Sequence, residues 1–266
     1  MKKFFLLFIV LIFSLILLVS GCSTNENDNS ADANLLEQIK SEGELKIGTE
    51  GTYALFSFHD ESGKLTGFDV EIAEEIANRL GVNPKFMETR WDGIFEGLNS
   101  ERFDIIANQV GIRPDREEIY DFSKPYISSS MVLVVHKDNN DIKDFADIAG
   151  LRAAQTLTSN YADKAREVGA EIVGVEGFNQ AIDLITSKRA EVTLNDKLSV
   201  LDFLKQKPDA PVKIVATSSD AAQSWIMLRK GNQELGDAIN KALDEMMADG
   251  TYLDISKRWF GEDVSK

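Results

Sequence analysis

Phe68-Asp69-Val70-Glu71-Ile72-Ala73-Glu74-Glu75-Ile76-Ala77-Asn78-Arg79-Leu80-Gly81 is the stretch on which the fold is read. Ile72, Ala73, Ile76, Ala77 and Leu80 recur at steps of three and four, which puts them on one face of an α-helix, and Gly81 supplies the stop. Just upstream, residues 44–48 place Leu45 and Ile47 on one side of an extended chain, the mark of a strand. The same pairing recurs outward from there. Residues 104–107, 131–135, 151–154, 171–175, 191–194 and 212–216 read as strands, separated by helical stretches such as 179–187. This alternation predicts an α/β architecture with largely parallel sheets. Ligands of such sheets sit at the carboxyl ends of the strands, so the loops that follow them are where chemistry is sought. No internal repeat of the solenoid kind is present.

The chain has 266 residues, 43% hydrophobic and 27% charged, with five prolines, a composition that can bury a core and is not that of a disordered polymer. Its length suits one large domain or two smaller ones. With 29 Lys+Arg against 44 Asp+Glu, the net charge of -15 repels phosphates and argues against nucleic acid as a partner. Cys22 is the single cysteine, which excludes an intrachain disulfide and a cysteine-based zinc site. The two histidines leave little for a catalytic metal, and no metal or other cofactor is expected.

At the amino terminus Lys2 and Lys3 precede an apolar run over residues 4–19, broken by Ser14, and then Val19-Ser20-Gly21-Cys22. Positive charge, a greasy run and small residues before a cleavage point describe an export signal. A membrane-spanning helix is the competing reading, but it needs about 20 apolar residues and usually a basic stop. The residues that follow are polar and acidic, from Ser23 through Ser30. Val19 to Cys22 resembles a bacterial lipobox, which implies a signal peptide over residues 1–21 and acylation of the Cys22 thiol. The mature chain then starts at Cys22, loses both leading lysines, and is held to the cell membrane from outside. Residues 22–35 read as a flexible tether.

Enzyme signatures are absent: no G-x-S-x-G elbow, P-loop, H-E-x-x-H or G-x-G-x-x-G occurs. The residues left over suit a zwitterion. Ile112-Arg113-Pro114-Asp115-Arg116-Glu117-Glu118 looks like a helix start. Arg116 there either clamps a carboxylate with two parallel hydrogen bonds or pairs with a nearby acid at the surface. Asp196, at the end of the presumed strand Val192-Thr193-Leu194-Asn195, either receives an ammonium or N-caps a helix over 197–206.

A set of motifs runs in order through the chain: Glu50-Gly51-Thr52-Tyr53, Gly67-Phe68-Asp69-Val70, Trp91-Asp92-Gly93, Asn108-Gln109-Val110, Tyr120-Asp121-Phe122-Ser123-Lys124-Pro125-Tyr126, Leu228-Arg229-Lys230-Gly231-Asn232, Asp249-Gly250-Thr251 and Trp259-Phe260-Gly261. Together they make the chain resemble the polar amino-acid substrate-binding proteins of ABC importers, solute-binding protein family 3, from about residue 43 to 264. Glu50 to Tyr53, Asn108 to Val110 and the ending Phe260-Gly261-Glu262-Asp263-Val264 look most like the cystine-binding branch. The resemblance implies a type II periplasmic-binding-protein fold, with two lobes joined by two crossover segments and a ligand cleft between them. On that pattern residues 36–127 form the first part of lobe 1, 128–222 form lobe 2, and 223–266 complete lobe 1. Pro125 to Ser130 is the first crossover and Asp220 to Ser224 the return.

Roles carried over from the family give Arg116 the ligand's α-carboxylate and Asp196 its α-ammonium. Gln109 and Gly111 contact the ligand head through their backbone, and Asn108 belongs to the same motif. Tyr53 and Trp91 wall the side-chain pocket, Glu50 meets the distal part of a polar ligand, and Thr158 and Ser159 belong to a loop of the second lobe that closes on the carboxylate. Arg113 and Leu157 depart from the family pattern, and Arg113 is expected to point to solvent. The implied function is that of a monomeric, lipid-anchored receptor that captures L-cystine and hands it to a membrane permease. Glutamine, cysteine or a basic amino acid is the alternative ligand, and a dehydratase-like enzyme on the same fold is the alternative activity.

Overall fold

The computed structural model describes residues 34–266, so the signal peptide, Cys22 and nearly all of the tether lie outside the described residues. The described chain begins with α1 (Leu35–Glu42), whose N-cap Asn34 accepts the Glu37 N–H and whose end is turned by Gly43 at φ 70°. β1 (Glu44–Thr49) and α2 (Phe68–Leu80) follow as the sequence suggests. Ile72, Ala73, Ile76 and Ala77 are all buried on the face their spacing defines.

Eight strands form one sheet in the order β5 (Asn83–Glu88), β1, β6 (Ile105–Val110), β11 (Val212–Arg229), β7 (Tyr120–His136), β10 (Val192–Asp196), β8 (Arg152–Gln155), β9 (Glu171–Gly174). On one side β5, β1 and β6 run parallel. On the other, β10, β8 and β9 run parallel. Between them lie two strands far longer than expected, β7 and β11. β7 and β11 are antiparallel to each other; β11 is also antiparallel to β6, and β7 to β10. The sheet is therefore mixed rather than largely parallel. The reason is topological: a chain that passes from one group of strands to the other and comes back must run in both directions.

The segments expected to cross over lie in the middle of these two strands. Ser128, Ser129 and Ser130 pair there with Gln223, Ala222 and Ala221, and the register shifts on either side, between Thr217 and Ala221 and between Ser224 and Trp225. Such bulges let a long strand bend.

Helices α3 (Trp91–Asn99), α4 (Pro114–Ile119), α5 (Asn160–Glu167), α6 (Phe178–Thr186), α7 (Lys197–Gln206), α8 (Gln233–Asp249) and α9 (Thr251–Phe260) cover the sheet. Apolar packing also divides by side. Trp91, Ile94, Leu98, Phe103, Ile106 and Met227 form one cluster; Leu133, Val135, Ile148, Ala153, Val192 and Leu194 form another; a larger one joins residues from both. Three short strands, β2 (Thr52–Tyr53), β3 (Ser57–His59) and β4 (Leu65–Thr66), make a separate small sheet. Gly67 links it to α2 at φ 132°, and a Cβ there would come within 2.2 Å of the Phe56 carbonyl oxygen. Among the described residues no helix is long and apolar enough to cross a membrane, and no cluster of potential metal ligands occurs.

Candidate ligand-binding site

The carboxyl ends of β1, β6, β8 and β10 deliver most of the candidate residues to one place, as expected for a sheet of this kind. A cavity of about 50 Å³ is lined by Glu50, Tyr53, Trp91, Asn108, Gln109 and Ser159, with Asn195, Tyr161 and Phe178 among its other walls. Six of the ten candidates thus meet. Gly111, Arg116, Thr158 and Asp196 are not part of that lining.

Asn108 is fully buried and organises the end of β1. Its Oδ1 accepts from Thr49 Oγ1 (3.0 Å), the Glu50 N–H (2.8 Å) and Ser57 Oγ (3.1 Å), and its Nδ2 donates to Glu50 Oε2 at 2.7 Å. Burial pushes the Glu50 carboxyl up to about 7, against the Asn108 bond that favours its charged form. Gln109 has φ 53°, an unusual conformation for a residue with a side chain. Its amide joins a hydrogen-bond network: Nε2 donates to Asp69 Oδ1 at 2.7 Å, and Oε1 accepts from Ser224 Oγ at 3.1 Å. Tyr126 Oη donates to the same Asp69 oxygen at 2.9 Å. Tyr126 and Ser224 stand in the two crossing strands, so Gln109 ties the strand end to both.

Arg116 is 4% exposed and has no carboxylate within salt-bridge distance among the described residues, so the surface-pair reading does not describe it. Its Nη1 donates to the Gly111 carbonyl at 2.8 Å and its Nη2 to the Thr158 carbonyl at 2.7 Å. The guanidinium carbon lies 5.6 Å from the Trp91 ring centroid and 4.6 Å from that of Phe95. Burial lowers its pKa to about 10, with Arg113 adding repulsion. Trp91 is itself buried, and its indole N–H has no partner.

Asp196 N-caps α7, accepting from the Leu198 N–H at 2.8 Å and the Ser199 N–H at 3.4 Å. The capping reading therefore holds. One carboxylate can cap a helix and still face a cation, because these bonds use Oδ1 alone. Burial raises its pKa to about 6, against the Leu198 and Ser199 N–H bonds that favour its charged form.

Contacts across the cleft were the hardest to foresee. Tyr53 Oη donates to Asn195 Oδ1 at 2.8 Å, over 142 residues of sequence. Asp92, in a quoted motif but given no role from sequence, accepts from the N–H groups of Leu157 (3.2 Å) and Thr158 (3.0 Å) and from Thr158 Oγ1 (2.7 Å). Arg113 does not point to solvent. It pairs with Asp115 and Asp163 and donates to the Thr158 carbonyl at 3.0 Å. The expectation failed because Asp163 and Thr158 lie more than forty residues away in sequence and no local pattern announces them. Ser159 caps α5 through its hydroxyl, which accepts from the Ala162 N–H at 3.1 Å. Asn195, Tyr161 and Phe178 were missed as wall residues; Asn195, beside Asp196 at a strand end, is the one whose position offered a signal.

Strand-end loops, a buried unneutralised guanidinium and a cleft spanned by hydrogen bonds define a binding protein for small anionic or zwitterionic solutes. The match is to the bacterial extracellular solute-binding proteins, family 3, over residues 45–262, and the chain belongs to that family. It is 50% identical over 248 residues to the L-cystine-binding protein TcyA of Bacillus subtilis (strain 168), covering 93% of this chain and 92% of that protein. Among solved structures it resembles an ancestral arginine-binding protein bound to arginine, with TM-score 0.78 and 37% identity, covering 82% of this chain and 98% of that one. It also resembles the L-cystine solute receptor of Neisseria gonorrhoeae in an unliganded open conformation, with TM-score 0.58 and 47% identity over 87% of this chain and 98% of that one. The more similar sequence superposes less well. The parts of this molecule are thus arranged more like the bound protein than the open one, in keeping with the small cavity and the Tyr53–Asn195 bond.

Proposed function

We propose that this chain is the extracytoplasmic, lipid-anchored receptor of an ABC amino-acid importer and that its ligand is L-cystine. The observation that carries an amino-acid ligand is Arg116, a buried cation whose only hydrogen-bond acceptors among the described residues are carbonyls. Such a group calls for an anion, and a planar guanidinium suits a carboxylate above others. Asp196 answers the α-ammonium. Glu50, Asn108, Gln109, Gly111, Tyr53, Trp91, Thr158 and Ser159 complete the seat in the roles the family pattern gives them. Cystine in particular is supported by the names of the B. subtilis and N. gonorrhoeae relatives and by Glu50, a carboxylate on the cavity wall apart from Asp196.

In this reading residues 36–127 and 223–266 make one lobe and 128–222 the other. Arg116 and Asp196 then stand on opposite lobes, and a ligand satisfies both only when the cleft is shut, so ligand energy goes into closure. The closed receptor, monomeric and tethered through lipid on Cys22, presents itself to the permease. No covalent bond of the ligand is broken. A dehydratase-like reaction is the second reading, because Glu50 near pKa 7 has the proton affinity of a general acid.

Isothermal titration of the purified protein with L-cystine, L-glutamine, L-arginine and L-cysteine tests the reading, with mass spectrometry of the bound material. Tightest binding of cystine, recovered unchanged, is expected. Preference for another amino acid would replace the ligand, and recovery of a converted product would replace binding by catalysis.

A further inference from the structure

Glu50, Gly177 and Phe178 are walls of the inner cavity and also of a second, wider one of about 450 Å³. The two spaces adjoin across these three residues. The charged lining of the outer one is Glu50, Glu88 and Arg90 from the strand ends on one side and Glu176 from the other. Arg90 Nη1 lies 2.6 Å from Glu176 Oε1, and the two side chains are 72% and 60% exposed. An ion pair as open as this holds weakly and exchanges partners with little loss. Glu88 faces His59 at 3.2 Å. One guanidinium among three carboxylates can answer both charges of a zwitterion: Arg90 its carboxylate, the acids its ammonium. Tyr53, Trp91 and Phe178 give the inner cavity aromatic walls that suit any apolar or sulfur-bearing side chain. What separates cystine from a simple amino acid here is its second head.

We propose that the outer cavity seats the distal amino-acid head of a two-headed ligand, with Arg90 exchanging Glu176 for the distal carboxylate while Glu50 and Glu88 face the distal ammonium. The inference rests on the cystine reading and extends it from Glu50 to Glu88, Arg90 and Glu176, to which neither the family pattern nor the sequence gave a role.

Three ligands titrated against the wild-type protein and Arg90→Gln test it: L-cystine, the mixed disulfide of L-cysteine with cysteamine, and S-methyl-L-cysteine. The mixed disulfide keeps the distal ammonium and lacks the distal carboxylate; S-methylcysteine lacks the whole head. The wild type should prefer cystine to the mixed disulfide. Arg90→Gln should weaken cystine about fivefold and the other two less than about twofold, so that the preference disappears. Arg90→Lys, which keeps the charge, should restore part of it. Equal losses for all three ligands would make Arg90 a clasp between the two sides of the cleft and overturn the proposal while the cystine reading stands. Failure of the wild type to bind cystine would remove the reading and this seat together.

Discussion

Burial works against the charge of Arg116 and of Glu50, and both conflicts are testable. Arg116→Ala strands the ligand's carboxylate, and truncating one partner of such a pair costs about 2 to 5 kcal/mol, roughly 30-fold or more in affinity. Calorimetry should show this for every α-amino acid the protein binds; a loss of less than about threefold would take Arg116 out of the site. Glu50 acts through protons. Its pKa rises from the ordinary 4.5 to about 7, and that of buried Asp69 from 3.8 to about 7, burial being the first cause of each. The folded protein therefore keeps protons that the unfolded chain has already released. Stability from these groups is fully present below the unfolded values and is lost as pH climbs through about 7. The melting temperature of the ligand-free protein should fall between about pH 5 and pH 8, and Glu50→Gln should flatten that fall. A wild-type melting temperature that rises across the window would contradict the assignment.

Elements are positioned by a few close approaches that no periodicity reveals. Gly67 joins β4 to α2 at φ 132°, with the Phe56 carbonyl where a Cβ would stand. Asp69, two residues on, holds Gln109 and Tyr126. Gly67→Ala combines the left-handed backbone penalty with a backbone clash, about 2 to 3 kcal/mol together, or roughly 5 to 10 °C in melting temperature for a chain of this size. Gly63, at φ 82° with nothing within 4 Å, carries the first penalty alone. Thermal melts of the two alanine variants should therefore separate, Gly67→Ala falling further, and coincident melts would mean that the Phe56 segment moves aside. The same non-local character hid β5: Asn83-Pro84-Lys85-Phe86-Met87-Glu88 shows no clean alternation, and Pro84 is tolerated because this strand lies at the sheet edge.

At the scale of the whole molecule, the described residues form the receptor and the proposed anchor lies ahead of them. Cys22→Ala removes the one thiol in the chain, so lipid attachment and its processing should both fail. Metabolic labelling with a fatty acid, read on cell membranes, should show label in the wild type and none in the variant; equal label in both would remove the anchor from this position. Closure is also a property of the whole. Asp92, Arg113, Arg116 and Tyr53 each form a hydrogen bond with a residue of the 157–195 stretch.

What the chain declares by itself is what local physics can write. The face of α2, the N-cap at Asp196, the helix that opens at Pro114 and the strand–helix alternation all depend on neighbours within one or two turns, so their spacing is visible in sequence. The motifs likewise announce Glu50, Trp91 and Asn108, which line one cavity. Tertiary structure alone decided that β7 and β11 run through the whole sheet against their neighbours, that Arg113 reaches Asp163, that Asp92 takes the Leu157 and Thr158 N–H groups, and that Asn195 meets Tyr53. Those contacts join residues tens to more than a hundred positions apart. Their partners are chosen by where the sheet brings strand ends together, which no local pattern of residues encodes.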